Sequence, residues 1–488
     1  MNTFANAATR EAHMTRTTNG AVALDTSRNA VLDLFSVVGA LRNASEDRIT
    51  SLWKYAFREN PDLAMKTLFY ARDVRGGLGE RDTFRTILKY AATNAPESVK
   101  KNLPLVGYFG RFDDLYALVG TPCEDAMWQV MKEQFQMDLA SMREGKSVSL
   151  LAKWMKTPDA SSENTRELGI QTALKLGYTV KVFKRDLRAL RKYLDIPEIK
   201  MCANEWDTIC YKNVSANCML KNRKNFKAHD EDRFAAYLES VKKGEVSIKA
   251  GTLYPYEIVE KYLYGRERSN DVLNLQWEAL PNYAEDGNVL IMADVSGSMA
   301  QHGGRPMATS VGMAMYFAER NQGDFHGLFM TFSNKPQFVE VKGDTIFERI
   351  HNIQRANWEM NTDLDLAMKK ILDLAKKSGT SKEDMPKALV IVSDMQIDKC
   401  VDTNDDRLFY DRWKEKFEEA GYDMPSIVFW NVNSVKDTFH SDCNIKGVQY
   451  YSGQSVSVFK NIFQGIEYDP VEAMLAVLTS ERYEKVVA

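Results

Sequence analysis

The 488-residue sequence predicts a two-part chain, an all-α half followed by an α/β half built on a doubly wound sheet. Three observations predict it. From about residue 25 to 266, apolar residues recur at i, i+3, i+4 and i+7 in one short segment after another, the period of amphipathic helices. After about residue 288 that period alternates with short unbroken apolar runs, the mark of strands buried on both faces of a parallel sheet. Two of those runs, Val289 to Ala293 and Ala388 to Val392, lead directly into acids and hydroxyls. Open α/β sheets keep their ligands at that position, just past the carboxyl ends of strands.

In chain order, residues 1–24 are polar and mixed, with Thr15, Thr17, Thr18, Asn19 and Gly20, and read as an arm or a poorly ordered terminus. The helical part spans 25–266. Ser45 stands as an N-cap before the stripe Ile49, Leu52, Trp53, Ala56, Phe57, and Asn60-Pro61 starts the next helix, with Ala64, Leu68 and Phe69 inward. Gly76-Gly77-Leu78-Gly79 interrupts the pattern as an inter-helix turn flanked by Arg72, Arg75, Arg81 and Arg85; no strand precedes it and no Lys-Ser/Thr pair follows, as a phosphate-cradling loop requires. Phe84, Ile87, Leu88 and Ala91 resume the stripe. No strict repeat period is present, but stacked helix pairs of the HEAT type bury such stripes over this length.

Residues 267–287 form a junction in which Leu273, Leu275, Trp277 and Leu280 should pack one part on the other. The α/β part, 288–488, begins with the strand Val289–Ala293. A helix from Pro306 to about Arg320, strands over 325–332 and 337–341 including an antiparallel edge, and a short helix with Ile346, Ile350 and Ile353 come next. Leu364 to Ala375 is helical, Pro425 to Trp430 a buried strand, Val448 to Tyr451 a weaker one, and Pro470 to Tyr483 a closing helix.

Composition narrows the function. A hydrophobic content of 44% with 27% charged residues is that of a globular protein, and a net charge of −3 gives no global pull toward nucleic acid or anionic membrane, so any such binding needs a local patch. No run reaches the length of a membrane span and no basic-then-apolar leader opens the chain, so a cytoplasmic protein without membrane contact is expected. Six cysteines without a C-x-x-C pair suit a reducing compartment; Cys202, Cys210 and Cys218 near His229 read as small buried side chains rather than a zinc site. No nucleophile elbow, no H-E-x-x-H and no acid/base pair away from residues 294–298 and 394 is found, and a binding protein, not an enzyme, is expected.

Two sets of residues carry candidate binding chemistry. Asp294, Ser296 and Ser298 leave the first strand at alternate positions, and Thr362 and Asp394 follow at the ends of later elements. Carboxylate and hydroxyl oxygens without softer donors suit a hard divalent cation, Mg²⁺ or Mn²⁺. The second set is basic: Lys184, Arg188, Arg191 and Lys192 recur at helical spacing and should share one face, and Lys221, Arg223 and Lys224 lie further along. Trp206, Tyr211 and Phe226 are interleaved with them, as stacking on single-stranded RNA requires; a solvated helix face over core aromatics would give the same pattern.

The set Asp294, Ser296, Ser298, Thr362, Asp394 resembles the metal-ion-dependent adhesion site of von Willebrand factor A (vWA) domains. The resemblance implies Ser296 and Ser298 as direct ligands, Thr362 as direct or water-mediated, and Asp294 and Asp394 mostly through water. Asn361 stands where such loops often have glycine. A helical half joined to such a domain resembles the Ro autoantigen and its bacterial orthologues, the TROVE-module family. It resembles more closely still a family of unknown function with the same organisation in plants, fungi and large viruses. Both resemblances rest on Arg72 to Arg81, on Gly107 to Leu115, on Ala152-Lys153-Trp154-Met155, on Lys249 to Pro255 and on Ser393 to Gln396. They imply a ring of HEAT-like helices that binds small non-coding or single-stranded RNA, with Arg72 and Arg75 added to the candidate contacts. They also imply a metal site that takes a carboxylate from a protein ligand. The alternative is a protein–protein adaptor in a larger assembly, ATPase-linked or viral, without RNA; affinity that falls steeply with salt separates the two.

Overall fold

The computed structural model describes residues 3–265, 267, 268, 270–284, 288–322, 324–332, 335–355, 363–398, 407–465 and 467–488. Thr362 lies outside them, as does the rest of its expected loop from 356 on.

The N-terminal segment is the first departure from expectation. Residues Thr3–Ala12 form a helix and a hairpin follows, β1 (Met14–Arg16) paired antiparallel with β2 (Val22–Leu24). Ala21 and Leu24 are buried in the core of the distant sheet, which is why this polar stretch is fixed. The turn of the hairpin is bonded to that sheet's carboxyl edge. Thr17 Oγ1 donates to the Ile397 carbonyl (2.6 Å), Thr18 N to Gln396 Oε1 (2.7 Å) and Asn19 Nδ2 to the Gln396 carbonyl (2.6 Å). Local sequence could not signal this, because every partner is more than 370 residues away.

The helical half follows the stripes. Ser45 Oγ accepts from Arg48 N and caps Glu46–Glu59, whose Ile49, Trp53 and Ala56 are buried. Asn60 caps Pro61–Arg72 through Leu63 N, with Pro at the first turn where its missing N–H costs nothing. The glycine run is the inter-helix turn expected: Gly79 has φ +66°, and a Cβ on Gly77 would stand 2.2 Å from the Tyr70 carbonyl oxygen.

The α/β half holds a six-stranded sheet of β3 (Val289–Asp294), β4 (Leu328–Phe332), β5 (Gln337–Glu340), β6 (Ala388–Ser393), β7 (Ser426–Asn431) and β8 (Val448–Ser452). Their order is β5-β4-β3-β6-β7-β8, parallel throughout except for β5 at the edge. One face, with Ile291, Val390, Val428 and Trp430, packs on the helix Arg305–Arg320 and merges with the core of the helical half. The opposite face, with Leu290, Met292, Ile391 and Phe429, is covered by the helices Leu364–Ser378 and Phe409–Glu419. Helices on both faces explain why β3 and β6 read as unbroken apolar runs.

One apolar core therefore runs from Val31 to Val486 through both halves. The junction helix Asp271–Glu278 buries Leu273 and Trp277 in it, and Trp277 Nε1 donates to Glu319 Oε2 (2.7 Å). The chain's end returns to the helical half, where Arg482 pairs with Asp73 and Tyr483 Oη donates to Asp73 Oδ2 (3.0 Å). No helix among the described residues is long and apolar enough to cross a membrane.

Candidate metal centre and basic cavity

β3 and β6 are neighbours and parallel, so their carboxyl ends bring Asp294 and Asp394 to the same edge. Asp294 Oδ1 accepts from Ser296 N (2.9 Å) and Oδ2 from Ser393 Oγ (2.6 Å). Ser296 Oγ and Ser298 Oγ are 3.0 Å apart. Asp394 Oδ1 accepts from Gln396 N (3.1 Å), while its Oδ2 is buried with no hydrogen-bond partner among the described residues. Met395, at φ +62°, makes the tight turn that allows this. Burial pushes both carboxyls up from the usual range, and repulsion from Asp394 pushes Asp294 further.

Two buried acids that oppose each other's ionisation, one with an orphaned oxygen, beside two hydroxyls in contact, fit a small oxygen-seeking cation. Its charge would supply what the site lacks. Ser296, Ser298, Asp294 and Asp394 would hold it; the fifth expected donor, Thr362, is outside the described residues. Among the described residues no group of three or more His, Cys, Asp or Glu side chains is placed to hold a metal. His229 instead stacks on Trp206 with centroids 4.4 Å apart.

The second feature is a cavity of about 740 Å³ on the helical half. Arg72 to Asp82, Gly110-Arg111, Lys153-Trp154 and Thr252 to Tyr254 all contribute to its wall, so four stretches separated by up to 180 residues converge there. Seven cationic side chains line it against four carboxylates. Arg75 is exposed, and its guanidinium donates to the Tyr108 carbonyl (3.1 Å) while its backbone N–H donates to Asp73 Oδ1 (3.0 Å). The Arg111 guanidinium stands over the Trp154 indole, its Cζ 3.7 Å from the ring centroid, with Nε donating to Asp113 Oδ1 (2.9 Å). Arg305, from the first turn of the helix after the Asp294 to Ser298 loop, closes one side and forms no ion pair with a described residue.

The remaining basic candidates separate. Lys184, Arg188 and Lys192 share the outer face of the helix Val180–Tyr193 with Lys181 and Arg185, along an open groove. Arg191 does not share that face. It stands one turn past buried Leu187 and turns inward, with Nε donating to the Ala152 carbonyl (2.9 Å) and Nη2 to that of Met155 (2.8 Å). Arg72 is only 2% exposed and bonded through Nε to Asp114 (2.6 Å); its charge is already matched. Arg223 is buried against the Leu220 carbonyl and Glu267 (both 2.6 Å), whereas Lys221 and Lys224 are exposed. Tyr211 and Phe226 are core aromatics of a small cluster, not an open stacking surface.

Arg111, Lys153 and Trp154 fall within the sequence motifs without a marked role, whereas Arg42 and Arg305, which reach the cavity from different halves of the chain, fall in none. Nothing in the neighbourhood of Arg42 marks it. Arg305 had one signal, its place at the start of the helix after the Asp294 to Ser298 loop.

Residues 17–144 and 148–287 match the model of a family described as "Domain of unknown function (DUF2828)", and residues 288–486 match "Domain of unknown function (DUF7788)". An uncharacterized protein of Acanthamoeba polyphaga mimivirus is 25% identical over 508 aligned positions, covering 96% of this chain and 87% of that protein. The crystal structure of the Deinococcus radiodurans Ro (RSR) protein superposes with a TM-score of 0.47 at 13% identity, covering 93% of this chain and 99% of that one. With more than half its length matched by the first of those models, the chain belongs to the DUF2828 family.

Proposed function

We propose that the chain is a single-stranded RNA-binding protein that takes its ligand in the basic cavity. In this reading the helical half is HEAT-like and Ro-like, and the α/β half is a vWA domain carrying Mg²⁺ or Mn²⁺ at Asp294, Ser296, Ser298 and Asp394 with Thr362. The observation that supports it is the convergence of the four separate stretches on one cavity with an excess of cations. Arg75 and Arg305, and Lys153 on leaving its ion pair with Glu198 (3.0 Å), are placed to meet phosphates, and the Arg111–Trp154 pair offers a platform for a base. A cation at the sheet edge would take a carboxylate from a protein ligand, giving the two halves separate partners. The role in this reading is binding rather than catalysis.

The test is filter binding of a single-stranded oligoribonucleotide across a salt series, with wild type and the triple variant Arg75→Gln, Lys153→Gln, Arg305→Gln. Each phosphate contact on a single strand contributes roughly 0.7 to the slope of log affinity against log salt, so the variant should lose about 2 from it. A wild-type slope in the folded variant removes the cavity as the site. An absence of RNA binding by wild type removes the function.

A further inference from the structure

A second cavity, of about 320 Å³, lies where the helical half meets the carboxyl edge of the sheet. Arg42 and Arg305 line both it and the larger cavity, so the two adjoin along these guanidiniums. Its other polar walls are His302, Asn43, Asn433 and Gln454, and no carboxylate is among the described residues that line it. Asn433 is 3% exposed. Its Oδ1 accepts from Asn43 Nδ2 (3.2 Å), and its own Nδ2 has no hydrogen-bond partner. A buried amide donor left unpaired is unfavourable, and a ligand oxygen would relieve it.

The helix Arg305–Arg320 starts at this cavity, and its N-cap Gly304 offers no side chain to the first-turn N–H groups. A 16-residue helix presents partial positive charge there. Gly304 is held in place: it has φ +77°, and an added Cβ would stand 2.2 Å from the Tyr264 ring. Arg42 is held too, by Glu80 Oε2 on its Nε (2.7 Å) from outside the small cavity. The helix start and Arg42 are therefore fixed before any ligand arrives, and exposed Arg305 stands beside them. The guanidinium of Arg305, that of Arg42 already paired with Glu80, one orphaned amide N–H and a helix start, with no carboxylate among the described residues that line the cavity, match an anion with several oxygens.

We infer that this cavity binds a phosphomonoester, and that its source is the terminal phosphate of a strand lying in the larger cavity. The anion site stands on its own geometry; its link to a strand rests on the function proposed above. Internal phosphodiesters carry one charge and two bridging substituents, whereas a terminal phosphate carries close to two charges and enters a closed pocket end first. The protein should therefore discriminate strand ends by their phosphorylation.

The experiment compares one short oligoribonucleotide with hydroxyl at both ends, with a 5′-phosphate, and with a 3′-phosphate, by fluorescence anisotropy on the full chain. Inorganic phosphate alone is titrated by calorimetry. Wild type should bind one phosphate-ended strand about tenfold more tightly than the hydroxyl-ended strand. Asn433→Asp keeps the acceptor for Asn43 and replaces the orphaned donor by a charge that repels phosphate. It should erase the preference while leaving the hydroxyl-ended affinity within about twofold of wild type. Should that variant fail to fold, Asn433→Ala removes the same donor without the charge.

Equal binding of all three strands by wild type, with no inorganic phosphate bound, overturns the inference and leaves the RNA reading intact. A preference that survives in the folded Asn433 variant also overturns it. If no strand binds, the proposed function fails. Inorganic phosphate bound by wild type and lost in the variant would then keep the anion site and overturn its link to RNA.

Discussion

Replacing Arg72 by methionine distinguishes a cation that builds the cavity wall from one that serves a ligand. Arg72 Nε is bonded to Asp114 Oδ2 (2.6 Å), and Asp114 is fully buried. Methionine fills most of the volume and removes the charge. Stranding one partner of a buried pair costs about 3–5 kcal/mol when the remaining charge has no other support. Asp114 has other support: Arg85 Nε donates to its Oδ1 (2.7 Å) and Arg111 N to its Oδ2 (3.0 Å). The loss is then nearer that of one charge-assisted hydrogen bond, about 1.5–3 kcal/mol. Urea denaturation of Arg72→Met, followed by tryptophan fluorescence, should show a midpoint lowered accordingly. RNA affinity of the folded Arg72→Met protein should keep its wild-type salt slope. An unchanged midpoint with a slope reduced by about 0.7 would refute this reasoning and make Arg72 a phosphate contact.

The metal site yields two further expectations. Ser296→Ala with Ser298→Ala should abolish Mn²⁺ binding in calorimetry with unchanged circular dichroism, because both side chains lie in a loop at the sheet's edge; unaltered binding would remove these hydroxyls as ligands. Asp294 and Asp394 have folded-state pKa values raised above the unfolded ones. The folded protein therefore holds their protons more tightly, and without metal its stability should fall as pH rises from about 4 through the raised values. Melting in chelator across pH should show this fall, Mg²⁺ should oppose it, and Asp394→Asn should lessen it. A metal-free wild type that gains stability over the same range would contradict the repulsion.

Part of the site was legible locally because its donors belong to short segments. Asp294, Ser296 and Ser298 sit within five residues, and an unbroken apolar run before them places them past a strand's end. The second acid, Asp394, follows the same grammar after β6. The outer basic face was legible in the same way at Lys184, Arg188 and Lys192, whose spacing is that of one helix face. Arg191 broke the rule for a reason that periodicity does not contain: the carbonyls of Ala152 and Met155 lie within its reach.

The sequence by itself determined the two halves, the strand and helix periods within them, the inter-helix role of Gly76 to Gly79, and the residues clustered at 294–298, because each depends on neighbours a few positions away. Only the tertiary structure decided that the hairpin over residues 14–24 clasps the distant sheet, that the chain's end returns to Asp73, and that Arg72 and Arg223 are neutralised in the interior. It alone brought Arg42 and Arg305, with Arg111 and Trp154, to adjoining cavities. Ion pairing and burial depend on which segments meet across hundreds of residues, and a charged side chain reads the same in sequence whether it faces a carboxylate, a carbonyl or water.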